Sequence, residues 1–245
     1  MRVHALHRAA PHPRTKGSCH EAKGPVMKIG IIGAGNIGGN LTRRLTGLGH
    51  DVSVANSRGP HTLTALAEET GATPVTVEEA ARGAEIVIVT IPLKALPDLP
   101  SGLLDGVADG VAVIDTGNYY PQRDGRIAAI EDEGLTESRY AERLIGHPVI
   151  KAFNETYAQD LLDLPRPAGA ADRMALPVAG DDAAAKRKVR ELIDALGFDT
   201  VDAGGLDDSW RQQPGTPVYG MRENADTVTK ALAEASPERP ADFRA

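Results

Sequence analysis

Residues 28–39 read Lys-Ile-Gly-Ile-Ile-Gly-Ala-Gly-Asn-Ile-Gly-Gly. A short apolar run, Lys28–Ile32, leads into Gly33, Gly35 and Gly38, spaced G-x-G-x-x-G. Behind them Ile37, Leu41, Leu45 and Leu48 recur at helical spacing before Gly49. Strand, glycine turn and helix in that order form a dinucleotide-binding unit. The first glycine permits a tight turn, the second lets a diphosphate reach bare backbone, and the third lets helix and strand pack closely. The helix opens near Asn36 and Ile37 and aims its free N–H groups and positive dipole end at the phosphates. A glycine triplet alone is a weak signal. Here a second strand, Asp51–Ala55, follows at the distance such a unit needs.

The end of that second strand sets the expected cofactor. An NAD site usually places an acid there to hold the ribose diol. This chain has Asn56-Ser57-Arg58. Without a carboxylate to repel it, a 2′-phosphate can take a hydrogen bond from Ser57 and a charge-assisted pair from Arg58, so NADP(H) is expected. The alternative is that Arg58 is a solvated loop residue.

Working outward, the pattern alternates. Thr62–Glu69 and Glu78–Arg82 read as helices. Glu85–Ile91, Val111–Asp115 and Val149–Phe153 read as buried strands. The fold class is therefore α/β, a Rossmann-type doubly wound parallel sheet. After the Pro/Ala-rich Leu164–Ala171, strand Met174–Ala179, helix Asp181–Leu196 and strand Phe198–Asp202 form a small C-terminal βαβ unit, with a terminal helix over 221–235. The expected division is 1–26 as a disordered or tag-like leader, 27–165 as the NADP-binding domain and 166–245 as a cap. Met27 is a candidate natural start. His4, His7, His12 and His20 lie in the leader; a metal cluster is the alternative to a disordered segment, but no scaffold fixes them.

Composition narrows the function classes. The chain has 245 residues, a formal net charge of −7 and no basic block beyond Lys186-Arg187-Lys188. Neither nucleic acid nor a membrane surface is an expected partner. No apolar run approaches the roughly 20 residues of a membrane helix. One cysteine, Cys19, suits a reducing cytoplasm. A homodimer is the expected assembly.

Five segments occur in a telling order: KIGIIGAGNIG at 28–38, NSR at 56–58, IVIVTIP at 86–92, IDTGN at 114–118 and IKAFN at 150–154. Together they resemble the NADP oxidoreductases that depend on the deazaflavin coenzyme F420, and more distantly the reductase domain of the STEAP ferric reductases. The resemblance implies hydride exchange between NADP(H) and a deazaflavin, with a small-molecule redox partner. It implies that Gly33, Gly35, Asn36, Ile37 and Gly38 hold the diphosphate and that Asn56, Ser57 and Arg58 hold the 2′-phosphate. Thr90, Ile91 and Pro92 then line the ribose, and Asn118, Lys151 and Asn154 stand at the nicotinamide end. The segment Trp210-Arg211-Gln212-Gln213-Pro214-Gly215 departs from that family's pattern. Trp210 and Arg211 either stack on an acceptor or anchor the fold. Stacked redox rings need little acid–base help, so no catalytic acid or base and no metal is expected. Lys151 is the tempting exception, as proton donor or as a packed strand-end lysine. A reductase of another acceptor (flavin, quinone, metal chelate, imine or carbonyl) and a non-catalytic NADPH sensor remain as alternatives.

Overall fold

A computed structural model describes residues 25–245. The leader histidines and Cys19 lie outside the described residues. Six parallel strands make the main sheet: β1 (Lys28–Ile32), β2 (Asp51–Ala55), β3 (Thr73–Pro74), β4 (Ile86–Val89), β5 (Ala112–Asp115) and β6 (Val149–Lys151). Their spatial order is β3-β2-β1-β4-β5-β6. The order reverses between β1 and β4, so the crevice outside their carboxyl ends is where such a sheet takes its ligand. Helices α1 (Asn36–Gly47), α2 (Thr64–Thr70) and α3 (Val77–Ala80) connect the first half. Helices α4 (Pro121–Asp124), α5 (Ala128–Glu131) and α6 (Glu137–Ile145) connect β5 to β6, and α7 (Asp160–Asp163) follows β6.

The β-branched run of β4 explains its central place. Ile86 and Ile88 join one apolar cluster, with Leu41 and Leu45 of α1. Val87 and Val89 join a second, on the opposite face, with Ala80, Leu93 and Ala141. A period of two sends alternate residues to opposite faces, so a strand buried on both sides must be apolar throughout.

The C-terminal part holds β7 (Ala175–Val178), α8 (Ala183–Leu196), β8 (Asp199–Asp202) and α9 (Ala225–Glu234). Strands β7 and β8 form a separate two-stranded parallel sheet, tied to β6 by one antiparallel bridge between Lys151 and Ala179. Asp182 caps α8 through the N–H groups of Ala184 and Ala185 at 2.8 and 3.0 Å, and Gly197 ends it in the left-handed region. The change of sheet falls near the boundary expected at residue 165. The hydrophobic core does not stop there: Val189, Leu192 and Ile193 of α8 and Leu176 and Val178 of β7 share one cluster with Ile86, Ile114 and Ile150. Helix α8 thus roofs part of the main sheet while serving its own small one. Helix α6 and the 3-10 turn at Leu206–Gln212 have no counterpart in the sequence reading. The hydrophobic face of α6 is short and interrupted by charged residues, which hides its period. Among the described residues no helix is long and apolar enough to cross a membrane, and no group of three or more His, Cys, Asp or Glu side chains could hold a metal ion.

Candidate functional site

The glycine turn is built as its spacing requires. Gly33 has φ +108°, and a Cβ there would lie 2.3 Å from the Thr90 carbonyl oxygen. A Cβ on Gly38 would lie 1.9 Å from the Gly33 carbonyl oxygen. One glycine is needed for the turn, the other for the approach of α1 to the loop. Gly35 differs: a Cβ there would meet nothing within 4 Å. No neighbour among the described residues explains its being glycine, so that side is open to a ligand. Gly35 is also the N-cap of α1, with no side-chain cap and no acid in the first turn. The first N–H groups of a 12-residue helix, those of Asn36 and Ile37 among them, are therefore free for an anion.

A cleft of about 710 Å³ opens over these ends, lined by Gly33, Gly35, Asn56, Ser57, Arg58, Thr90, Ile91 and Pro92 among others. A second hollow of about 700 Å³ adjoins it across Gly35 and Arg58 and is also lined by Asn36 and Asn40. Asn56 fixes the turn after β2: its Oδ1 accepts from the Arg58 N–H at 2.9 Å and its Nδ2 donates to Thr62 at 2.9 Å. Asn56 thus shapes the loop, while Ser57 and Arg58 stand exposed on it. Two arginines border the hollow. Arg43 is engaged by both oxygens of Glu69 at 2.7 Å. The guanidinium of Arg58 has no hydrogen-bond or ion-pair partner among the described residues. Glu78 and Asp98 lie on the far rim, where β3 and β4 lead out of the sheet.

The loops that follow β5 and β6 have a different construction. Asn118 and Asn154 bind each other reciprocally: Asn118 Nδ2 donates to the Asn154 carbonyl at 2.7 Å, and Asn154 Nδ2 donates to Asn118 Oδ1 at 3.0 Å. Gln212 completes the set, donating to Asn154 Oδ1 at 2.8 Å while its carbonyl accepts from Asn154 Nδ2 at 2.7 Å. Just before Asn154, buried Phe153 has φ +63°, the one non-glycine residue with positive φ among those described. A bulky residue there costs about 1–3 kcal/mol, a strain that concentrates where side chains must be aimed. It turns the chain off β6 so that Asn154 reaches Asn118.

Lys151 does not stand in the cleft. Its side chain is 1% exposed, its ammonium 3.2 Å from Asp115 Oδ2 and 3.7 Å from Glu137 Oε2. It also donates to the Gly117 carbonyl. Ser138 donates to Asp115 at 2.7 Å and Arg239 to Glu137 at 2.9 Å. The placement of Lys151 beside a cofactor is therefore corrected. Its charge is neutralised beneath the loop, where it ties the end of β6 to the turn after β5. The Arg211 guanidinium lies 4.6 Å over its neighbour Trp210 and donates to the Leu232 carbonyl of α9 at 3.2 Å. The segment that departs from the expected pattern thus reaches the Asn118–Asn154 network through Gln212, not through Trp210 or Arg211.

Three groups escaped the sequence reading. Tyr219 lies 3.4 Å from Asn118 Nδ2 and is in hydroxyl contact with Tyr120. Burial, then the Tyr120 hydroxyl, push Tyr219 well above the ordinary tyrosine value. Glu155 is 2% exposed, and neither carboxyl oxygen has a hydrogen-bond partner. Desolvation pushes it up to about 8, against smaller opposing effects from its own backbone N–H and the Lys151 charge. Gln212 gave no signal because it belongs to a turn 58 residues from its partner. Glu155 gave one: an acid in the loop just past the end of a buried strand.

The comparisons with known proteins agree with this geometry. Residues 28–119 match the family model described as NADP oxidoreductase, coenzyme F420-dependent. Protein SMa0349 from Sinorhizobium meliloti, whose name carries no activity, is 30% identical with a TM-score of 0.66. The match covers 80% of this chain and 94% of that one. A protein from Arthrobacter sp. assigned as an F420-dependent NADP-reductase is 26% identical with a TM-score of 0.59, over 74% of this chain and 86% of that one. Metalloreductase STEAP3 from Rattus norvegicus is 31% identical over 191 residues, 78% of this chain and 36% of that protein. The chain spans less than half the length of each of the curated relatives it matches.

Proposed function

We propose that the chain, whose residues 28–119 match the family model of the coenzyme F420-dependent NADP oxidoreductases, transfers hydride between NADP(H) and a deazaflavin of the F420 type. The observation that carries the reading is Arg58, which has no partner among the described residues, beside the open face of Gly35. A free guanidinium next to an uncapped helix N-terminus fits two phosphate positions, the 2′-phosphate and the diphosphate. Ser57 adds a hydroxyl donor on the same exposed turn.

When bound, the nicotinamide supplies the hydride. The protein's own residues do the positioning. The N–H groups of Asn36 and Ile37 hold the diphosphate, and Thr90, Ile91 and Pro92 form the wall along the carboxyl end of β4. Asn118, locked by Asn154, presents a fixed amide at the far end. Fixed geometry removes the entropy cost of bringing two rings into contact, which is the main source of rate in such a transfer. A reducing cytoplasm and a homodimer are the proposed setting, the latter checked by sedimentation.

The test is direct. Purified protein is mixed with NADPH and oxidised F420, and with NADPH and free flavin, and the loss of NADPH absorbance is followed. Reduction of F420 but not of flavin is the expected result. Tight NADPH binding with no reduction of F420 would overturn the proposal.

A further inference from the structure

The hollow beside the cofactor cleft has a wall that cofactor binding through Arg58 leaves unused. It holds about 700 Å³, and Ala34, Gly35 and Arg58 line both spaces. Residues of α1, α2 and the loop after β6 close its other sides. One of them is Arg43, in the middle of α1. Side chains on a helix lean towards its N-terminus, and this one runs back over the first turn. A Cβ on Gly39 would lie 3.3 Å from Arg43 Nη1 and 4.0 Å from the Ala34 carbonyl oxygen. Gly39 thus leaves room for the guanidinium, and the head of Arg43 lies close to the phosphate loop.

Its aim is fixed from two sides. Nε and Nη2 each donate to a Glu69 oxygen at 2.7 Å, and Nη1 donates to Asn40 Oδ1 at 3.1 Å. Asn40 is itself held, its Nδ2 donating to the Ala158 carbonyl at 2.8 Å. A guanidinium has more N–H groups than these contacts use, so donors remain on Nη1 and Nη2. The ion pair is open: the side chain of Arg43 is 36% exposed and that of Glu69 51%. A pair so wet adds little to folding, so stability alone does not account for it.

The charge of the expected ligand supplies an account. A phosphate monoester carries roughly −1.5 to −2 charges at pH 7. Arg58 neutralises one of them. Resting on the NADP(H) reading, we propose that Arg43 is a second specificity-determining arginine, and that the 2′-phosphate enters the hollow between Arg58 and Arg43. Asn40 and Gly39 keep the Arg43 head in position for it. Glu69 sets the strength of this clamp. Its carboxylate steadies the guanidinium but offsets its charge, and it meets the incoming dianion with charge of the same sign. NADH has no group that reaches the hollow, so Arg43 and Glu69 act on NADPH alone.

Titration calorimetry with NADPH, NADH and adenosine 2′-monophosphate tests this, and none of these readings needs a hydride acceptor. Arg43→Met keeps the stem and removes the charge. It is expected to weaken NADPH and adenosine 2′-monophosphate about tenfold, the lower range for a charged hydrogen bond, with NADH binding and Tm unchanged. Glu69→Gln keeps a carbonyl oxygen for Arg43 and removes the competing charge. It is expected to tighten NADPH about threefold and leave NADH unchanged. Both effects shrink as salt is raised, because the hollow is open to solvent. The double variant Arg43→Met with Arg58→Ala binds NADPH no tighter than NADH.

An Arg43→Met protein that keeps the wild-type ratio of NADPH to NADH affinity would overturn the proposal, whether or not its Tm falls; Arg43 is then only a tie between α1 and α2. Weaker NADPH binding in Glu69→Gln would overturn it as well. The two readings fail separately. If Arg58→Ala loses the preference for NADPH and Arg43→Met does not, the second arginine fails and the NADP(H) reading stands. If wild type binds NADPH no tighter than NADH, both fail.

Discussion

The glycine turn and the loops after β5 and β6 are made of different material. The first is backbone and exposed loop: a glycine turn, an uncapped helix start and an arginine with no partner among the described residues. The loops after β5 and β6 instead carry a buried side-chain network whose members come from the ends of those strands, the 3-10 turn and the C-terminal tail. The first kind of site needs only neighbours in sequence. The second exists only once remote segments have packed together. Binding at the first is therefore separable from folding, and at the second it is not.

That contrast can be broken at its strongest point by Lys151→Ala. Removing the ammonium leaves Asp115 and Glu137 short of a buried partner, and a loss of about 3–5 kcal/mol in folding stability is expected by denaturant melting. A loss below about 1 kcal/mol, the range of a surface pair, would show that the buried cluster is not structural.

Next comes Gly38→Ala, whose Cβ would overlap the Gly33 carbonyl at 1.9 Å. Overpacking of this kind costs about 1–3 kcal/mol, and both Tm and NADPH affinity should fall together. Gly35→Ala is the matched control, since its Cβ meets nothing within 4 Å. Its Tm should hold while calorimetry shows weaker NADPH binding. Equal effects of the two substitutions on Tm would mean that the open side of Gly35 is not a ligand face.

The smallest effect sharpens the adenosine end alone. Arg58→Ala should weaken NADPH binding by about 1–3 kcal/mol, the range for a charged hydrogen bond, and leave NADH binding and Tm unchanged. Unchanged NADPH affinity would remove the 2′-phosphate from this turn.

The doubly wound sheet was legible because its signals are periodic and local. Ile86–Val89 is apolar on both faces, and Gly33, Gly35 and Gly38 mark a strand-to-helix turn. Helix α6 was not legible, because Glu137 and Ser138 are buried polar residues within it, and their burial is satisfied by Arg239 and Asp115 from elsewhere in the chain. Trp210 drew attention within the segment that departs from the family pattern. Its neighbour Gln212, which carries no compositional signal, makes the contact that counts.

By itself, the sequence determined the α/β class, the parallel alternation of strands and helices, the glycine turn and the acid-free loop that holds Arg58. Each depends on residues a few positions apart, whose backbone preferences and period survive without tertiary contacts. Only the tertiary structure decided that Lys151 is buried in an ion cluster rather than facing the cleft. It alone decided that α8 belongs to the core of the main sheet, and that Tyr120 and Tyr219 meet beside Asn118. Charge and hydrogen-bond partners separated by tens of residues are set by packing, and a side chain's chemistry depends on which of those partners packing supplies.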